Sequence, residues 1–442
     1  MSELKILTEN MERDDLVRIG VYEELGGYRA LRTALAEMEP EEVLSQLEES
    51  GLRGRGGAGF AMGKKASFLP KGTMDKYLCC NADESEPGTF KDRLLMQRNP
   101  HLLVEGCIIG MIAAGANKGF VFIRGEYAHQ ADVLETAVAE AYERGYLGEN
   151  VLDSGHDFSL VVHRGQGAYI CGEETALLDG LEGKRGNPRL KPPFPANQGL
   201  YQGPTLINNV ETLCCATLVI DRGVDWFKSM GTEQSTGPKI VSVSGDVQRP
   251  GNYEVELGTT GREIVYDLAG GPPDGRKVKC WFPGGSSAPV LLEEHLDLPL
   301  TYEDMAEAGS MLGTASIIVV DEEQPLVPLA LRLAEFYRHE SCGKCVPCRE
   351  GTNWTVKLLE RIDEGEATPM DLEIMAQVQE NIIGHCLCVL GDSMAMPIGS
   401  MIKHFRGEFE EHIAAARERR QLEEAAAFSA GELAATVEAG PA

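Results

Sequence analysis

The sequence has 442 residues, 43% of them apolar and 25% charged, which is ordinary for a globular protein with a sizeable core and about two to four domains. A formal charge of −28 argues against a nucleic-acid-binding face, and the longest apolar run, near Cys107 to Ala116, is too short to span a bilayer. Twelve cysteines, including the neighbours Cys79-Cys80 and Cys214-Cys215, suit free thiols in a reducing compartment, and Met1-Ser2-Glu3-Leu4-Lys5 lacks a signal-peptide pattern. A soluble, cytoplasmic polypeptide is expected, with any membrane link made through partners.

Residues 1 to 50 read as mostly helical. Pro40 to Leu47 places acids in a first turn and apolar residues at helical spacing, and the helix should stop at Gly51. Next comes Gly51-Leu52-Arg53-Gly54-Arg55-Gly56-Gly57-Ala58-Gly59-Phe60. Such a loop leaves backbone amides uncovered, able to wrap a phosphate, with Arg53, Arg55, Lys64 and Lys65 beside it. It is not a dinucleotide fingerprint, because a helix precedes it, nor a Walker A loop, because Lys65 stands where Ser or Thr belongs.

Lys76 to Asn81 reads as a buried strand running into the turn Ala82-Asp83-Glu84-Ser85-Glu86-Pro87-Gly88. Its carboxylates, Asp83, Glu84 and Glu86, could accept hydrogen bonds from ribose hydroxyls beyond the strand end. A buried helix at 101–116, a strand at 118–124, a helix at 127–144 and a strand at 158–163 then alternate, which predicts a Rossmann-like α/β sandwich with a largely parallel sheet. Gly165 to Thr175 follows with small residues and with Glu173 and Glu174 at a helix start, to favour the helix dipole or to grip a nucleotide. Lys191-Pro192-Pro193-Phe194-Pro195 reads as rigid and extended, offering Phe194 as a stacking surface. In Ile207 to Thr212, Asn208 or Asn209 caps the following helix or binds a polar ring edge.

Apolar periodicity lapses near 231–238, where a domain boundary is expected. A strand at 239–245, a turn at Arg249-Pro250-Gly251, a short helix at 260–268 and a strand at 316–321 outline a small α+β, β-grasp-like module with no visible chemistry. From Pro328 the pattern is helical, with helices expected at 329–339, 352–363, 369–382 and 397–409, and beyond residue 413 a tail that starts helical and then frays. The α-helical bundle carries Cys342-Gly343-Lys344-Cys345-Val346-Pro347-Cys348, three cysteines each separated by two residues. One loop can aim three sulfurs at one pocket, and a 4Fe-4S cluster takes a fourth thiolate from farther away, here Cys386 or Cys388. Zinc would want a second knuckle or a histidine pair, which this sequence does not offer.

A cluster moves one electron at a time and a nicotinamide gives two as hydride, so a chain holding both devices needs a flavin between them. The motifs Gly54 to Phe60, Asn81 to Gly88, Tyr169 to Thr175, Lys191 to Pro195 and Glu340 to Cys345 closely resemble the NADH-binding flavoprotein subunits of respiratory complex I, over about residues 25 to 412. The resemblance implies FMN held by Gly54, Arg55, Gly56, Gly57, Lys65, Asn81, Asp83, Gly172, Asn208, Asn209 and Thr212. It implies NADH near Glu86, Tyr169, Glu173 and Glu174, its adenosine half against Phe60, Phe68, Lys191 and Phe194, with Glu84 among the carboxylates of the site. It implies a 4Fe-4S cluster on Cys342, Cys345, Cys348 and Cys388, the last because Cys388-Val389-Leu390-Gly391-Asp392 matches the run after the family's ligand, leaving Cys386 as an extra thiol.

The domains would be 1–237 for FMN and NADH, 238–327 for the β-grasp module, 328–412 for the cluster bundle and 413–442 for an Ala/Glu-rich tail. The partners implied are a thioredoxin-like 2Fe-2S subunit and a large iron–sulfur subunit, with quinone reached only through other subunits and the chain peripheral to the inner membrane. Diaphorase subunits of soluble NAD-linked hydrogenases and formate dehydrogenases share these motifs and are the alternative; many carry fused cysteine clusters that this sequence lacks.

Overall fold

Leu78, Cys79, Cys80 and Ala82 have no solvent exposure, so the strand that holds them, β1 (Tyr77–Ala82), must lie between covered faces. It does: β2 (Lys118–Ile123) and β4 (Thr205–Asn209) flank it, β3 (Ser159–Arg164) lies beyond β2, and all run parallel in the order β3-β2-β1-β4. The chain steps outward to β2 and β3, then returns to the other side of β1 as β4. That reversal opens a crevice at the carboxyl ends of β1 and β4, where Asn81 and Asn209 sit level. The helix Pro100–Ala114 is apolar on every side and buries all 15 of its residues, packed against the helix Val210–Arg222. The structure is a computed structural model describing residues 3–72 and 74–438. The amino-terminal helices lie at Ile19–Glu24, Arg29–Glu37 and Pro40–Glu49, the last followed by Gly51 at φ +68°.

A second sheet is ordered β6-β5-β9-β7-β8, from β5 (Pro238–Gly245), β6 (Gly251–Glu256), β7 (Val278–Phe282), β8 (Leu291–Leu292) and β9 (Ser316–Asp321). Its centre pairs β5 and β9 in parallel, with antiparallel strands outside, and Trp281, Ile317 and Val319 fill its core. The short helix expected at 260–268 is present, with a π-helical turn over Glu263–Leu268. The sequence reading did not place β4, β6, β7, β8 or the helix Tyr302–Glu307; β8, with two residues, is too short to show a period. Both sheets belong to one compact unit, residues 1–322.

The second unit, residues 323–442, is a bundle of the helices Leu326–Glu340, Val346–Asp363, Pro369–Ile382 and Leu390–Glu438. Two boundaries differ from expectation. The last helix begins at Leu390 rather than Pro397, because Met394 and Ala395 bury completely in the bundle and carry the helix upstream of the proline. After a kink at Phe405 (φ −127°, ψ 29°) the helix continues to Glu438, where the tail was expected to start helical and then fray; Ile413 and Ala416 are buried, and Arg420 pairs with Glu366 at 2.6 Å. Residues 439–442 lie outside the described residues. No described helix is long and apolar enough to cross a membrane.

Candidate functional site

The glycine-rich loop fills the crevice at the strand ends and is bolted from beneath. Arg55 donates its backbone N–H to Thr212 Oγ1 at 2.8 Å, and its wholly buried guanidinium donates from Nη2 to the carbonyls of Thr236 (2.7 Å) and Pro238 (3.1 Å). Tyr302 donates its hydroxyl to the Gly54 carbonyl at 2.7 Å, and Arg53 closes the loop by donating to the Gly59 carbonyl at 2.8 Å. Two glycines are sterically required. A Cβ on Gly56 would lie 2.8 Å from Asn209 Cβ, and one on Gly59 would lie 2.4 Å from the Tyr302 ring. Gly57, at φ +136°, has nothing within 4 Å on its Cβ side, so this part of the loop is open to a visitor.

Beneath the loop lies an ionic cluster that sequence reasoning missed. Glu211 accepts from Lys91 and Lys239, both at 2.6 Å, and Lys91 also meets Asp92 at 2.8 Å; none of the four side chains is more than 4% exposed. Burial alone would raise the Glu211 carboxyl, but Lys239 and Lys91 hold it down at about 2. Burial pushes Lys239 down to about 7, while Lys91 is raised because Asp92, Glu211 and Glu84 outweigh its burial. The available signal was charge inside apolar patterns: Lys239 opens a β-strand, and Glu211 starts a helix that is otherwise buried.

Several predicted ligand residues also make hydrogen bonds within the protein. Thr212 is fully buried and commits its hydroxyl to the Arg55 N–H. Asn81 donates to the Gly172 carbonyl at 2.9 Å, and Asn209 both donates to Asp92 at 2.6 Å and caps the helix at Glu211 N. Asp83 accepts from the Ser85 hydroxyl. Glu84 turns inward and accepts from the N–H groups of Asp92 (2.7 Å) and Arg93 (3.0 Å), capping the helix Asp92–Arg98; burial and then Asp92 raise it to about 7. The helix start competes for this carboxylate and wins.

Other predicted residues do face one another around the crevice. Lys65 reaches Glu174 at 3.0 Å, and Lys191 bridges Glu174 (2.8 Å) and Glu173 (3.0 Å). Burial would raise Glu174, but Lys65 and then Lys191 hold it at about 2. Glu173 also caps its helix at Thr175 N and Ala176 N, as the helix-start reading expects. Tyr169 donates to Glu86 at 2.8 Å. Phe60 and Phe68 stand 6.1 Å apart and, like Phe194, are about half exposed. The segment carrying Phe194 is not the extended form expected: Lys191–Pro192 and Pro192–Pro193 are both cis.

These residues fit a flavin phosphate and its ring. Asn208 Nδ2 is buried with no hydrogen-bond partner, one residue before Asn209, which Gly56 approaches. An orphan amide donor and an open stretch of glycine backbone suit a group rich in acceptor oxygens and nitrogens.

In the second unit, Ser341 ends a helix, Gly343 turns at φ +78°, and Cys345 precedes the helix Val346–Asp363. Cys348 therefore lies on that helix's first turn rather than in the loop, because Pro347 suits a helix start. Sulfur-directed donors are present: Leu387 N–H points at Cys345 Sγ at 3.2 Å, and the Ser341 hydroxyl lies 3.2 Å from Cys348 Sγ. Such donors fit thiolates that hold an iron–sulfur cluster. Gly391 lets the two cysteine segments meet, since a Cβ there would lie 3.0 Å from Cys386 Sγ and 3.5 Å from Cys348 Cβ. Cys386 and Cys388 are both half-buried. Among the described residues no three potential ligands stand close enough for a single ion.

Comparison with known proteins assigns these regions. A family described as the Nuo51 FMN-binding domain matches residues 47–217, an SLBB domain matches 240–291, and the NADH-ubiquinone oxidoreductase-F iron-sulfur binding region matches 328–412. The chain is 53% identical over 409 residues to F subunit 2 of the NADH-quinone oxidoreductase of Rhizobium meliloti, covering 92% of this chain and 97% of that protein. It is 48% identical to the F subunit of the NADH-quinone oxidoreductase of Escherichia coli over 91% of both chains. Among solved structures it is similar to an NAD+-reducing NiFe hydrogenase in the H2-reduced state, with a TM-score of 0.81 and 36% identity; the match covers 89% of this chain and 66% of that one.

Proposed function

The chain belongs to the family of NADH-quinone oxidoreductase F subunits, and from that premise we propose that it oxidises NADH, passing hydride to FMN and single electrons to a 4Fe-4S cluster and on to partner subunits. FMN supplies the conversion between a two-electron donor and one-electron acceptors when bound. The observations that carry the flavin assignment are the open glycine backbone at Gly57 and the buried, unpartnered amide nitrogen of Asn208. Gly54, Arg55, Gly56 and Gly57 would offer main-chain groups and Lys65 a cation, while Asn81, Asp83, Gly172, Asn209 and Thr212 set the shape of the cradle. Phe60, Phe68 and Phe194 would receive the adenine face, with Lys191, Glu173 and Glu174 around the ribose and phosphates and Glu86 and Tyr169 toward the nicotinamide. The work of this chain is to bind, orient and exclude water, since hydride transfer asks for no acid–base pair. Cys342, Cys345, Cys348 and Cys388 would hold the cluster, with residues 1–237, 238–327 and 328–412 as the three functional domains.

The chain works as one subunit of a larger complex. Its partners would be a thioredoxin-like 2Fe-2S subunit and a large iron–sulfur subunit, with quinone reduced elsewhere in the assembly and the chain peripheral to the inner membrane on the cytoplasmic side. The hydrogenase likeness supports a second reading, a diaphorase subunit of a soluble NAD-linked complex. Identifying the copurifying subunits by mass separates the two. Purified protein should show flavin absorbance and reduce ferricyanide with NADH; a colourless protein replete with zinc would overturn the reading.

A further inference from the structure

Glu86 lies on the turn after β1, yet two of its hydrogen-bond donors come from the β-grasp module. Ser287 donates its backbone N–H to Glu86 Oε1 at 2.8 Å, and the Ser286 hydroxyl reaches the same oxygen at 3.2 Å; Tyr169 holds Oε2 from the other side. Gly285 makes this approach possible. At φ +95° it sits where side chains are disfavoured, and a Cβ there would stand 2.7 Å from Glu86 Cγ and 2.8 Å from Oε1. The residues after Glu86 are clamped to the same module: Ser286 N–H donates to the Pro87 carbonyl at 3.2 Å, the Thr89 hydroxyl lies 2.5 Å from Ser316 Oγ, and a Cβ on Gly88 would meet Ile318 at 2.8 Å.

We propose that the loop 284–287 is a positioning element of the NADH site, with Ser286 and Ser287 fixing the Glu86 carboxylate before the nucleotide arrives. A long acidic side chain at a rim otherwise samples several rotamers, and ordering it during binding costs affinity. Held from two sides, Glu86 meets its ligand already in place. The β-grasp module, in which the sequence showed no chemistry, thereby acts on the substrate through one carboxylate. This rests on the reading of the crevice as the NADH pocket.

The test uses the purified complex and measures KM, kcat and FMN content for Ser286→Ala, Ser286→Thr and Gly285→Ala, with Ser286→Ala repeated in a Glu86→Gln background. Ser286→Ala is expected to raise KM for NADH about three- to tenfold, with kcat within about twofold and FMN unchanged, and Ser286→Thr to restore it. Gly285→Ala should raise KM at least as much, and Ser286→Ala should add nothing once Glu86 is Gln. An unchanged KM in both single variants, the same rise in the Glu86→Gln background, or loss of FMN in place of the KM effect overturns the proposal. A wild-type complex that does not oxidise NADH overturns the parent reading, whereas one that does, with silent variants, overturns this inference alone.

Discussion

Replacing Glu211 by Gln should destabilise the first unit severely, for reasons that can be worked from its contacts. Glu211 has no solvent exposure; Oε2 takes both Lys91 and Lys239 at 2.6 Å, and Oε1 accepts from Ile240 N–H at 2.8 Å. Its carboxyl is held at about 2 against an ordinary 4.5, a difference worth about 3 kcal/mol. Removing one member of a buried ion pair costs about 3–5 kcal/mol, because the partner stays buried without a counter-charge. Glu211→Gln leaves Lys239 buried without a carboxylate and Lys91 with Asp92 alone, so a loss of about 3–5 kcal/mol is expected. At about 2–4 °C per kcal/mol, the unfolding temperature should fall by about 6–20 °C. Scanning calorimetry of the purified protein reads this directly. Adding Lys239→Met to Glu211→Gln should recover part of the loss, since burial already pushes Lys239 down to about 7 and the methionine removes the stranded charge. A Glu211→Gln protein within about 1 kcal/mol of wild type would refute the reasoning, because the cluster would then carry no net electrostatic weight.

Cys342→Ala should abolish the cluster's paramagnetic signal while flavin absorbance persists; an unchanged spectrum removes Cys342 from the ligand set. Glu174→Gln should raise KM for NADH by about 10-fold without lowering FMN content, because it dissolves the Lys65–Glu174–Lys191 lattice; if neither kinetic constant moves, the carboxylate does not face the nucleotide. Glu84 gives a pH test. Its folded value is raised from 4.5 to about 7, so the folded state keeps a proton that the unfolded chain has released. The stability tied to that proton is complete below 4.5 and is lost as pH rises through 7. Glu84→Gln keeps an oxygen for the Asp92 and Arg93 amides and escapes the loss, so between about pH 5 and pH 8 its stability relative to wild type should improve by about 1–3 kcal/mol in urea titrations. A difference that stays flat with pH would show that Glu84 is already ionised.

The architecture was legible where burial imposes a period. β1, β2, β3 and β9 stand within a residue or two of their expected places, as do the helices Pro100–Ala114 and Pro369–Ile382, since each is a run of apolar residues that only one backbone form can bury. Legibility failed where tertiary contacts overrule local rules. Pro397 looked like a helix start, but burial of Met394 and Ala395 placed a turn of helix before it. The proline run at 191–195 looked extended because composition does not report the isomer of each bond. The strand Leu291–Leu292 was too short to show alternation.

The site was legible as a set of residues but not as a division of labour. A motif marks that Arg55, Asn81, Glu84, Asn209 and Thr212 stand near a ligand, and it cannot say which of them touch it. The folded chain separates them by hydrogen-bond supply. Thr212, Asn81, Asn209 and Glu84 commit their polar atoms to backbone groups or to Asp92, and so they shape the cradle. The Asn208 amide nitrogen is buried without a partner, a penalty that a fold tolerates when something else arrives to complete the bond. The cluster of Lys91, Asp92, Glu211 and Lys239 beneath them follows the same logic one layer down, because a loop made mostly of glycine has few side chains with which to hold itself. The loop itself is held by Thr212, Tyr302 and the carbonyls of Thr236 and Pro238, residues far from it in sequence, where no spacing rule could have joined them.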